Sequence, residues 1–246
     1  MIDLLFGRNA VWESLRAGRR QIHRLWIAEG VQEGGSVADI LGLAHQRQVP
    51  LQRADRHELD RAARGGHHQG VVAEVSGYPY VELVDLLRLV RQSGELALLL
   101  LLDCLQDPQN FGALLRTAEA VGVQGVVMTW RRSAAVTPAV VNASAGAVEH
   151  LRVAQVTNLA RSMEQIKAQD IWIAGLESLP GARSLHQADL NLPLALVVGS
   201  EGQGLRRLVR EKCDFLLSIP MRGRIESLNA SVAGSVALYE VWRQRG

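Results

Sequence analysis

Three short stretches of the chain combine polar side chains with glycines, and each follows an apolar run. The first, DPQNFGALLRTAEAVG (107–122), carries Asn110 and Arg116, and the second, GSEGQGL (199–205), carries three glycines around its glutamate. The third places Ser227 and Asn229 ahead of a run of small residues. Glycines let a backbone approach a ligand closely, and polar side chains can orient it. These residue types therefore favour the binding and positioning of a ligand.

Each stretch also has a purely structural interpretation. Asn110 could only cap a helix, and Arg116 could be an ordinary surface residue. The glycines of 199–204 could only form turns, and Ser227 with Asn229 could cap another helix. All of these explanations would have to hold at three separate strand ends, so a shared site is the better interpretation.

Several common kinds of site are excluded by spacing. No Gly-x-Gly-x-x-Gly follows the first strand of either half, which argues against a dinucleotide-dependent oxidoreductase. GSEGQGL lacks the Lys-Ser/Thr pair of a nucleotide triphosphate loop, and the chain has no His-Glu-x-x-His or paired Cys-x-x-Cys motif. His67 and His68 are adjacent, so their side chains point in different directions, and we expect no metal there. Cys104 and Cys213 lie in apolar sequence and are expected to be free thiols.

The spacing of apolar residues predicts the elements that hold these stretches. Strands are expected at 96–105, 123–129, 170–177, 194–201 and 213–220, and helices at 110–121, 137–147, 157–168, 204–212 and 229–244. Strands that are apolar on both faces and alternate with helices predict an α/β fold with a parallel sheet covered on both sides. Ligands bind beyond the carboxyl ends of such strands, and all three stretches follow a carboxyl end.

The chain is predicted to divide in two. Residues 1–75 read as a small α/β domain, with helices at FGRNAVWESLRAG and 36–48 and strands at 23–29 and 70–75. Residues 76–95 contain Gly77, Pro79 and Gly94 and are predicted to be a linker to the second domain, 96–246. The first residues lack a signal-peptide layout and no apolar window reaches the length of a membrane span, so a cytoplasmic protein is expected.

The charge of the chain leaves the partner open. The formal net charge of its 246 residues is +2, and Lys167 and Lys212 are the only lysines among 27 basic residues, which leaves 25 arginines. Arginine matches phosphate with two parallel hydrogen bonds, but a GC-rich genome produces the same bias.

The three stretches resemble, in order, the motifs of the SpoU (TrmH-like) branch of the SPOUT RNA methyltransferases. The matching positions are Asn110, Gly112, Arg116, Thr117 and Ala118 in the first motif, Gly199, Glu201, Gly202, Gly204 and Leu205 in the second, and Ile219, Pro220, Met221, Ser227, Leu228, Asn229, Ser231, Val232 and Ala233 in the third. Phe111 replaces the usual leucine. The segments FGRNAVWESL, HHQG and NASAGAVEHL resemble the bacterial members that methylate a guanosine of 23S ribosomal RNA and carry a small ribosomal-protein-like RNA-binding domain.

The resemblance implies a fold, a reaction and partners. It implies an RNA substrate-binding domain in 1–75 and, in 96–246, a parallel-sheet SPOUT methyltransferase domain with a C-terminal trefoil knot. The reaction is transfer of a methyl group from S-adenosylmethionine to a ribose 2′-hydroxyl, with 23S ribosomal RNA as partner and a homodimer joined through the C-terminal helix. Neither a membrane nor DNA is implied. The implied catalytic residues are Asn110, Arg116, Glu201, Ser227 and Asn229, and the implied cofactor-binding residues are Gly199, Ile219 and Leu228.

Two further expectations concern arginines. The family assigns Arg116 to the ribose hydroxyl, but a guanidinium stays protonated, so we expect it to hold the adjoining phosphate and polarise the hydroxyl. Contacts to RNA phosphates are expected from Arg19, Arg20, Arg24 and Arg64. The alternatives are methylation of another ribosomal or transfer RNA ribose, or a catalytically silent RNA-binding relative.

Overall fold

The computed structural model describes residues 2–225 and 227–246, which form eleven strands and nine α-helices over these described ranges. The strands are β1 (Ile2–Phe6), β2 (Ile22–Ala28), β3 (Leu51–Ala54), β4 (Val71–Ser76), β5 (Leu98–Asp103), β6 (Gly125–Thr129), β7 (Val153–Val156), β8 (Trp172–Leu176), β9 (Arg183–Ser184), β10 (Leu194–Gly199) and β11 (Phe215–Ser218). The helices are α1 (Arg8–Ala17), α2 (Ser36–Gln46), α3 (Arg56–Ala62), α4 (Leu83–Ser93), α5 (Pro108–Ala120), α6 (Pro138–Ala143), α7 (Leu159–Lys167), α8 (Arg207–Lys212) and α9 (Ala230–Arg245).

The chain forms two compact units. The first contains the chain up to Pro79 together with Val136–His150, and the second contains Tyr80–Ala135 and Leu151–Gly246. The predicted helix at 137–147 was placed with the second domain, but in the structure it is α6 followed by a 3-10 turn, and both pack in the first unit. Helix α4 lies in the predicted linker and packs in the second unit.

The first unit is built on a four-stranded mixed sheet in the order β1-β4-β2-β3. Strand β4 is antiparallel to both of its neighbours, and β2 and β3 are parallel. Its two edge strands, β1 and β3, were not predicted, and neither was α3. Each edge strand carries only one fully buried residue, so neither shows the continuous apolar run that marks a central strand.

The second unit confirms the predicted parallel sheet. Its seven strands lie in the order β7-β6-β5-β10-β8-β11-β9, and every pairing is parallel. Every residue of β5 and β10 is buried, because helices cover both faces of the sheet. Helices α4, α7 and α8 form one apolar cluster with Leu99, Leu101 and Val197, and α5 packs against α9.

The last helix, α9, runs from the carboxyl ends of the strands to their amino ends. Its first turn follows Asn229, near the carboxyl end of β10, and its last residue, Arg245, donates hydrogen bonds to the carbonyls of Leu96, Ala97 and Leu192 at the amino ends of β5 and β10. Small residues let α9 pack closely against its neighbours: a Cβ atom at Gly234 would lie 2.8 Å from a side-chain atom of Leu114. Within residues 2–225 and 227–246, no helix has both the length and the apolar character that crossing a membrane requires.

Candidate active site

Asn110 joins two of the three predicted loops. Helix α5 begins at Pro108, and the Asp107 side chain caps it by accepting from the Asn110 backbone N–H at 2.9 Å. The Asn110 side chain then donates its Nδ2 to Oε1 of Glu201 at 2.6 Å. An ionised carboxylate only accepts hydrogen bonds, so the Asn110 amide nitrogen must face Glu201, and its oxygen faces the other way.

Asn229 joins the third loop to the same network. Its Nδ2 donates to Oδ1 of Asn110 at 2.9 Å, and its own Oδ1 accepts from the backbone N–H groups of Ser231 and Val232. Asn229 is therefore the N-cap of α9 and a link to α5 at once. Both interpretations therefore hold for Asn229, whereas Asn110 is not a cap, because the N-cap of α5 is Asp107.

A pocket of about 820 Å³ lies beside this network. It is formed by the carboxyl ends of β8, β10 and β11 and by the start of α9, and its lining includes five of the predicted site residues: Gly199, Glu201, Ile219, Ser227 and Leu228. Its volume lies within the range of about 300–1,000 Å³ found for small-molecule sites. The pocket offers backbone groups from the glycine loop and apolar side chains from the loop after β11.

The glycines of the second stretch are required by close backbone contact. A Cβ atom on Gly199 would lie 2.3 Å from the backbone carbon of Gly204, so no side chain fits there. Ser200 and Gly204 exchange two backbone hydrogen bonds of 3.0 and 3.2 Å, which close a tight loop. Gly202 and Gly204 have φ values of +80° and +62°, which glycine adopts at little cost. The loop therefore presents backbone atoms to the pocket.

Asp103 binds Arg206, the residue that follows this loop. Sequence reasoning did not predict this role. Asp103 is the last residue of β5, its side chain is fully buried, and it accepts from the Arg206 backbone N–H at 2.8 Å and from the Arg206 guanidinium at 2.7 and 2.6 Å. Burial opposes the charged guanidinium, but the hydrogen bonds and the charge of Asp103 outweigh it and raise the pKa of Arg206. A charged residue that ends an apolar run at the carboxyl edge was the available signal.

Glu177 is a second acidic residue that sequence reasoning missed. It follows β8 and lines the pocket, and its Oε1 lies 3.5 Å from a guanidinium nitrogen of Arg210. Its other oxygen, Oε2, is buried without a hydrogen-bond donor among the described residues. A buried acceptor without a donor is costly, so a ligand hydroxyl or ammonium group in this pocket would find an acceptor at its wall.

Arg116 lies on α5 and is exposed to solvent. Its guanidinium has no ion-pair or hydrogen-bond partner within the described part of the chain, in contrast to Arg206. The next residue, Thr117, accepts a hydrogen bond of 2.8 Å from Ser235, which fixes α5 against α9. Arg116 is thus on a fixed helix with a free cationic end. It does not line the pocket, whereas Ser227 and Glu201 do.

The expectation that Arg19 and Arg20 contact RNA is wrong for Arg20 and unsupported for Arg19. The Arg20 side chain is fully buried and forms ion pairs with Asp3 and Glu149. Arg19 donates to the hydroxyl of Tyr78 and to backbone carbonyls. Both guanidinium groups lie over the Tyr78 ring, at 5.3 and 5.2 Å from its centroid. These arginines hold the first unit together.

Exposed arginines of the first unit are better placed for a polyanion. Arg24 and Arg64 are exposed, as a phosphate contact requires. Sequence reasoning missed Arg8 and Arg56, which line a polar pocket of about 560 Å³. Arg56 has no ion-pair or hydrogen-bond partner for its side chain among the residues that the structure describes.

The histidine pair and the cysteines have structural roles. His68 is buried, accepts from the Gly70 N–H at Nδ1, and donates from Nε2 to Asp60 at 2.9 Å, whereas His67 is exposed. Cys104 and Cys213 are free thiols. Burial raises the pKa of both, that of Cys213 to about 12.

The fold and the pocket define a class of protein: an α/β protein whose parallel sheet binds a small ligand at the carboxyl ends of its strands, beside a network of polar side chains. Residues 97–239 match the SpoU rRNA Methylase family, and residues 4–81 match the RNA 2′-O ribose methyltransferase substrate binding family. The chain belongs to the SpoU methylase family.

Individual relatives agree with this assignment. The chain is 45% identical over 243 residues to the putative TrmH family tRNA/rRNA methyltransferase YacO of Bacillus subtilis, with 99% of this chain and 96% of the relative covered. It is 41% identical over 242 residues to a putative TrmH family tRNA/rRNA methyltransferase of Staphylococcus haemolyticus, with 98% and 96% covered. The crystal structure of the SpoU methyltransferase AviRb from Streptomyces viridochromogenes with AdoMet superposes with a TM-score of 0.82 at 25% identity, covering 99% of this chain and 90% of that one.

The chain is therefore an RNA methyltransferase that uses S-adenosylmethionine as its methyl donor. The pocket fits this cofactor on its own chemistry. The glycine loop could supply backbone groups for a nucleoside and Ile219 and Leu228 apolar surface, and Oε2 of Glu177, which has no donor among the described residues, could accept from a hydroxyl or an ammonium group.

Proposed function

We propose that this enzyme methylates the ribose 2′-hydroxyl of a guanosine in 23S ribosomal RNA. The observation that carries the proposal is the network of Asn110, Glu201 and Asn229, which ties three distant loops together beside the cofactor pocket. The choice of a guanosine and of 23S ribosomal RNA rests on the resemblance of FGRNAVWESL and HHQG, in the N-terminal part, to bacterial members that methylate such a guanosine. A ribose in transfer RNA is the alternative, because the named relatives are called tRNA/rRNA methyltransferases.

When bound, the cofactor would supply a methyl group attached to a positively charged sulfur, and the neutral thioether that remains is a good leaving group. The protein has to place the ribose hydroxyl in line with that methyl group and remove its proton. Asn110 and Ser227 would orient the ribose, and Glu201 and Asn229 would brace Asn110. The ribose hydroxyl oxygen would accept the methyl group as the carbon–sulfur bond of the donor breaks, and its proton would pass to an acceptor nearby.

Arg116 is not that acceptor, because its guanidinium stays protonated at any ordinary pH. It would instead hold the phosphate next to the target ribose with two parallel hydrogen bonds and polarise the hydroxyl. A phosphate oxygen or a water molecule would then take the proton. Its exposed side chain without an acidic partner in the described residues is suited to this task.

Residues 1–75 together with Val136–His150 would bind the RNA, and the second unit, which includes α4 of the predicted linker, would carry the methyltransferase. In the first domain, Arg8 and Arg56 in their polar pocket, with the exposed Arg24 and Arg64, are the candidates for phosphate contacts. Such contacts weaken as salt concentration rises.

A homodimer through α9 is supported by an exposed apolar stripe on that helix. Val232, Val236, Tyr239 and Trp242 follow one face at helical spacing and are 38–53% exposed, on the side away from the buried Gly234. Pairing with a second copy would bury this stripe. We also propose that α9 is threaded through a loop to give the trefoil knot of the family, which the small residues on its packed face would permit.

The decisive experiment maps ribose methylation across ribosomal and transfer RNA in cells with and without the gene. We expect one guanosine of 23S ribosomal RNA to lose its methyl group. A lost methyl group in transfer RNA would favour the alternative. Titration of the purified protein with labelled S-adenosylmethionine tests the catalytically silent alternative, since a silent relative would not need to bind it.

The role of Arg116 is tested by Arg116→Lys, which keeps the charge but loses the fork of donors. We expect slower methyl transfer with unchanged cofactor affinity. The control is Arg207→Lys, at an exposed arginine of α8 that pairs with Glu211. Normal rates in Arg116→Lys would contradict the proposed phosphate contact.

A further inference from the structure

The loop after β6 exposes a tryptophan between the sheet and solvent. Trp130 follows the last residue of β6 and is 53% exposed, although a tryptophan buries more apolar surface than any other side chain. The Arg131 guanidinium lies over its ring, 4.8 Å from the centroid. This cation–π contact orients the ring without burying it.

Hydrogen bonds hold this loop in place on both sides. The backbone N–H of Trp130 donates to the carbonyl of Val156 at 3.1 Å, and the backbone N–H of Ala134 donates to the carbonyl of Leu105 at 2.9 Å. The Thr129 hydroxyl donates to Arg131 O at 3.0 Å and lies 2.9 Å from the Ser133 hydroxyl. A ring on a fixed loop loses little conformational freedom when it binds a partner.

The sheet order places this loop next to the reaction site. Strand β6 is the neighbour of β5, which leads into α5 with Asn110 and Arg116. The cofactor pocket is formed on the other side of β5, by β10, β8 and β11. An RNA strand that presents its ribose at Asn110 and runs away from the cofactor pocket would pass the β6 loop, because β6 lies on the opposite side of β5 from β10.

The charge around Trp130 favours a polyanion over a protein partner. Arg131 and Arg132 follow it directly and are exposed. Neither of them, nor Arg116, pairs with an acidic side chain anywhere in residues 2–225 and 227–246. An apolar contact surface for a protein would lack such a concentration of unpaired charge at its centre, whereas aromatic rings interleaved with arginines suit single-stranded RNA.

We propose that Trp130, together with Arg131, stacks an unpaired RNA base that flanks the methylated nucleotide, while Arg132 contacts its phosphate. This inference rests on the proposed function, because it assumes that an RNA ribose is presented at Asn110. It assigns the β6 loop to substrate binding and predicts that the substrate is single-stranded next to its target nucleotide.

The test measures the affinity of the whole protein for a fluorescein-labelled single-stranded oligoadenylate of twelve nucleotides, about the length an RNA needs to cross such a surface. We expect Trp130→Ala to weaken binding about tenfold, because stacking on one aromatic ring contributes about that factor or more per base. Trp130→Phe keeps an aromatic face and should stay within about threefold of the wild type.

The matched control is Trp172→Ala. Trp172 is 52% exposed and Trp130 53%, but Trp172 is the first residue of β8 and so lies at the opposite, amino edge of the sheet. We expect it to leave RNA affinity unchanged. Equal losses in the two alanine variants, or no loss in Trp130→Ala, would overturn the proposal, and so would a wild-type preference for the duplex of the same length.

Two more measurements separate this proposal from its rivals. Light scattering reports the mass of Trp130→Ala: a shift from dimer to monomer, with RNA affinity not restored by Trp130→Phe, would identify the loop as a protein interface and overturn the proposal. Titration with S-adenosylmethionine should be unchanged in Trp130→Ala. If no ribose methylation is found in cells while the stacking effect persists, the proposed reaction fails and the RNA surface stands.

Discussion

Asn229 offers a way to separate helix capping from the assembly of the active site. Its Oδ1 caps α9 by accepting from Ser231 N and Val232 N, and its Nδ2 donates to Asn110. Asn229→Ala removes both functions. Asn229→Asp keeps the accepting oxygen for the cap but replaces the donor toward Asn110 with a second oxygen. The Asn110 amide would then have carboxylates on both sides, and its oxygen would have to face one of them.

The expected sizes follow from these contacts. Loss of the cap costs about 1 kcal/mol, and loss of the hydrogen bond to Asn110 costs about 1 kcal/mol more. Asn229→Ala should therefore destabilise the protein by about 2 kcal/mol, which lowers Tm by about 4–8 °C for a chain of this size. In Asn229→Asp, the favourable interaction of an anion with the helix N-terminus returns about 0.5 kcal/mol, so Tm should fall by less than about 3 °C.

The activity of the two variants should not follow their stability. Methyl transfer depends on the link between Asn229 and Asn110, which both variants lack, so Asn229→Asp should lose as much activity as Asn229→Ala, about fivefold or more. Tm is measured by differential scanning fluorimetry and transfer with labelled S-adenosylmethionine. Asn158 is the control, because its side chain caps α7 through Arg161 N and has no second described contact.

Asn158→Ala should lower Tm by about 2–4 °C, and Asn158→Asp should leave Tm nearly unchanged, with normal methyl transfer in both variants. The reasoning is refuted if Asn229→Asp retains full activity, because the link to Asn110 would then be dispensable. It is also refuted if the two Asn229 variants lower Tm equally, because the cap would then not be a separate contribution.

Three further outcomes are expected. Gly199→Ala should abolish cofactor binding or soluble expression, since its Cβ would lie 2.3 Å from a backbone carbon; isothermal titration with S-adenosylmethionine checks this. Burial raises the pKa of Cys213 to about 12, so its thiol should react with a disulfide reagent at pH 8 only after unfolding in guanidinium. Hydrogen bonds from Arg243 and Gln244 lower the pKa of Glu240 to about 2. The stabilisation from ionised Glu240 is therefore present above about pH 4.5 and is lost as pH falls toward 2, by about 1 kcal/mol because water screens the Arg243 contact; acid unfolding of Glu240→Gln should lack this loss.

The central part of the fold was predictable because its strands have no polar face. Strand β10 is apolar throughout and β5 is apolar up to Asp103, and the helices between them have helical periodicity, so the parallel sheet and its carboxyl edge followed from the pattern alone. Strand β7 was missed because it has only four residues, of which two are fully buried. Helix α4 was read as linker because Gly77, Pro79 and Gly94 surround it, although these residues only mark its ends.

The assignment of Val136–His150 to the first unit could not be predicted from local patterns. It depends on contacts between residues more than a hundred positions apart, such as the buried ion pair of Arg20 and Glu149. Arg20 was expected on the surface, because a single sequence does not reveal that an arginine has an acidic partner so far along the chain. The same limit hid Asp103, whose partner Arg206 follows the glycine loop.

The candidate site was easier to predict than the long-range ion pairs, because its polar side chains lie in three short stretches that each follow a strand. Glu201 only accepts hydrogen bonds, so it fixes the direction of the Asn110 amide. The Asn110 oxygen then requires a donor, which the amide nitrogen of Asn229 provides at 2.9 Å and the Ser231 hydroxyl at 3.3 Å, and the Asn229 oxygen remains available to cap α9. Aspartate or serine could replace Asn229 as a cap. Neither could continue the alternation of donor and acceptor from Glu201 to α9, which explains why asparagine is needed at both positions.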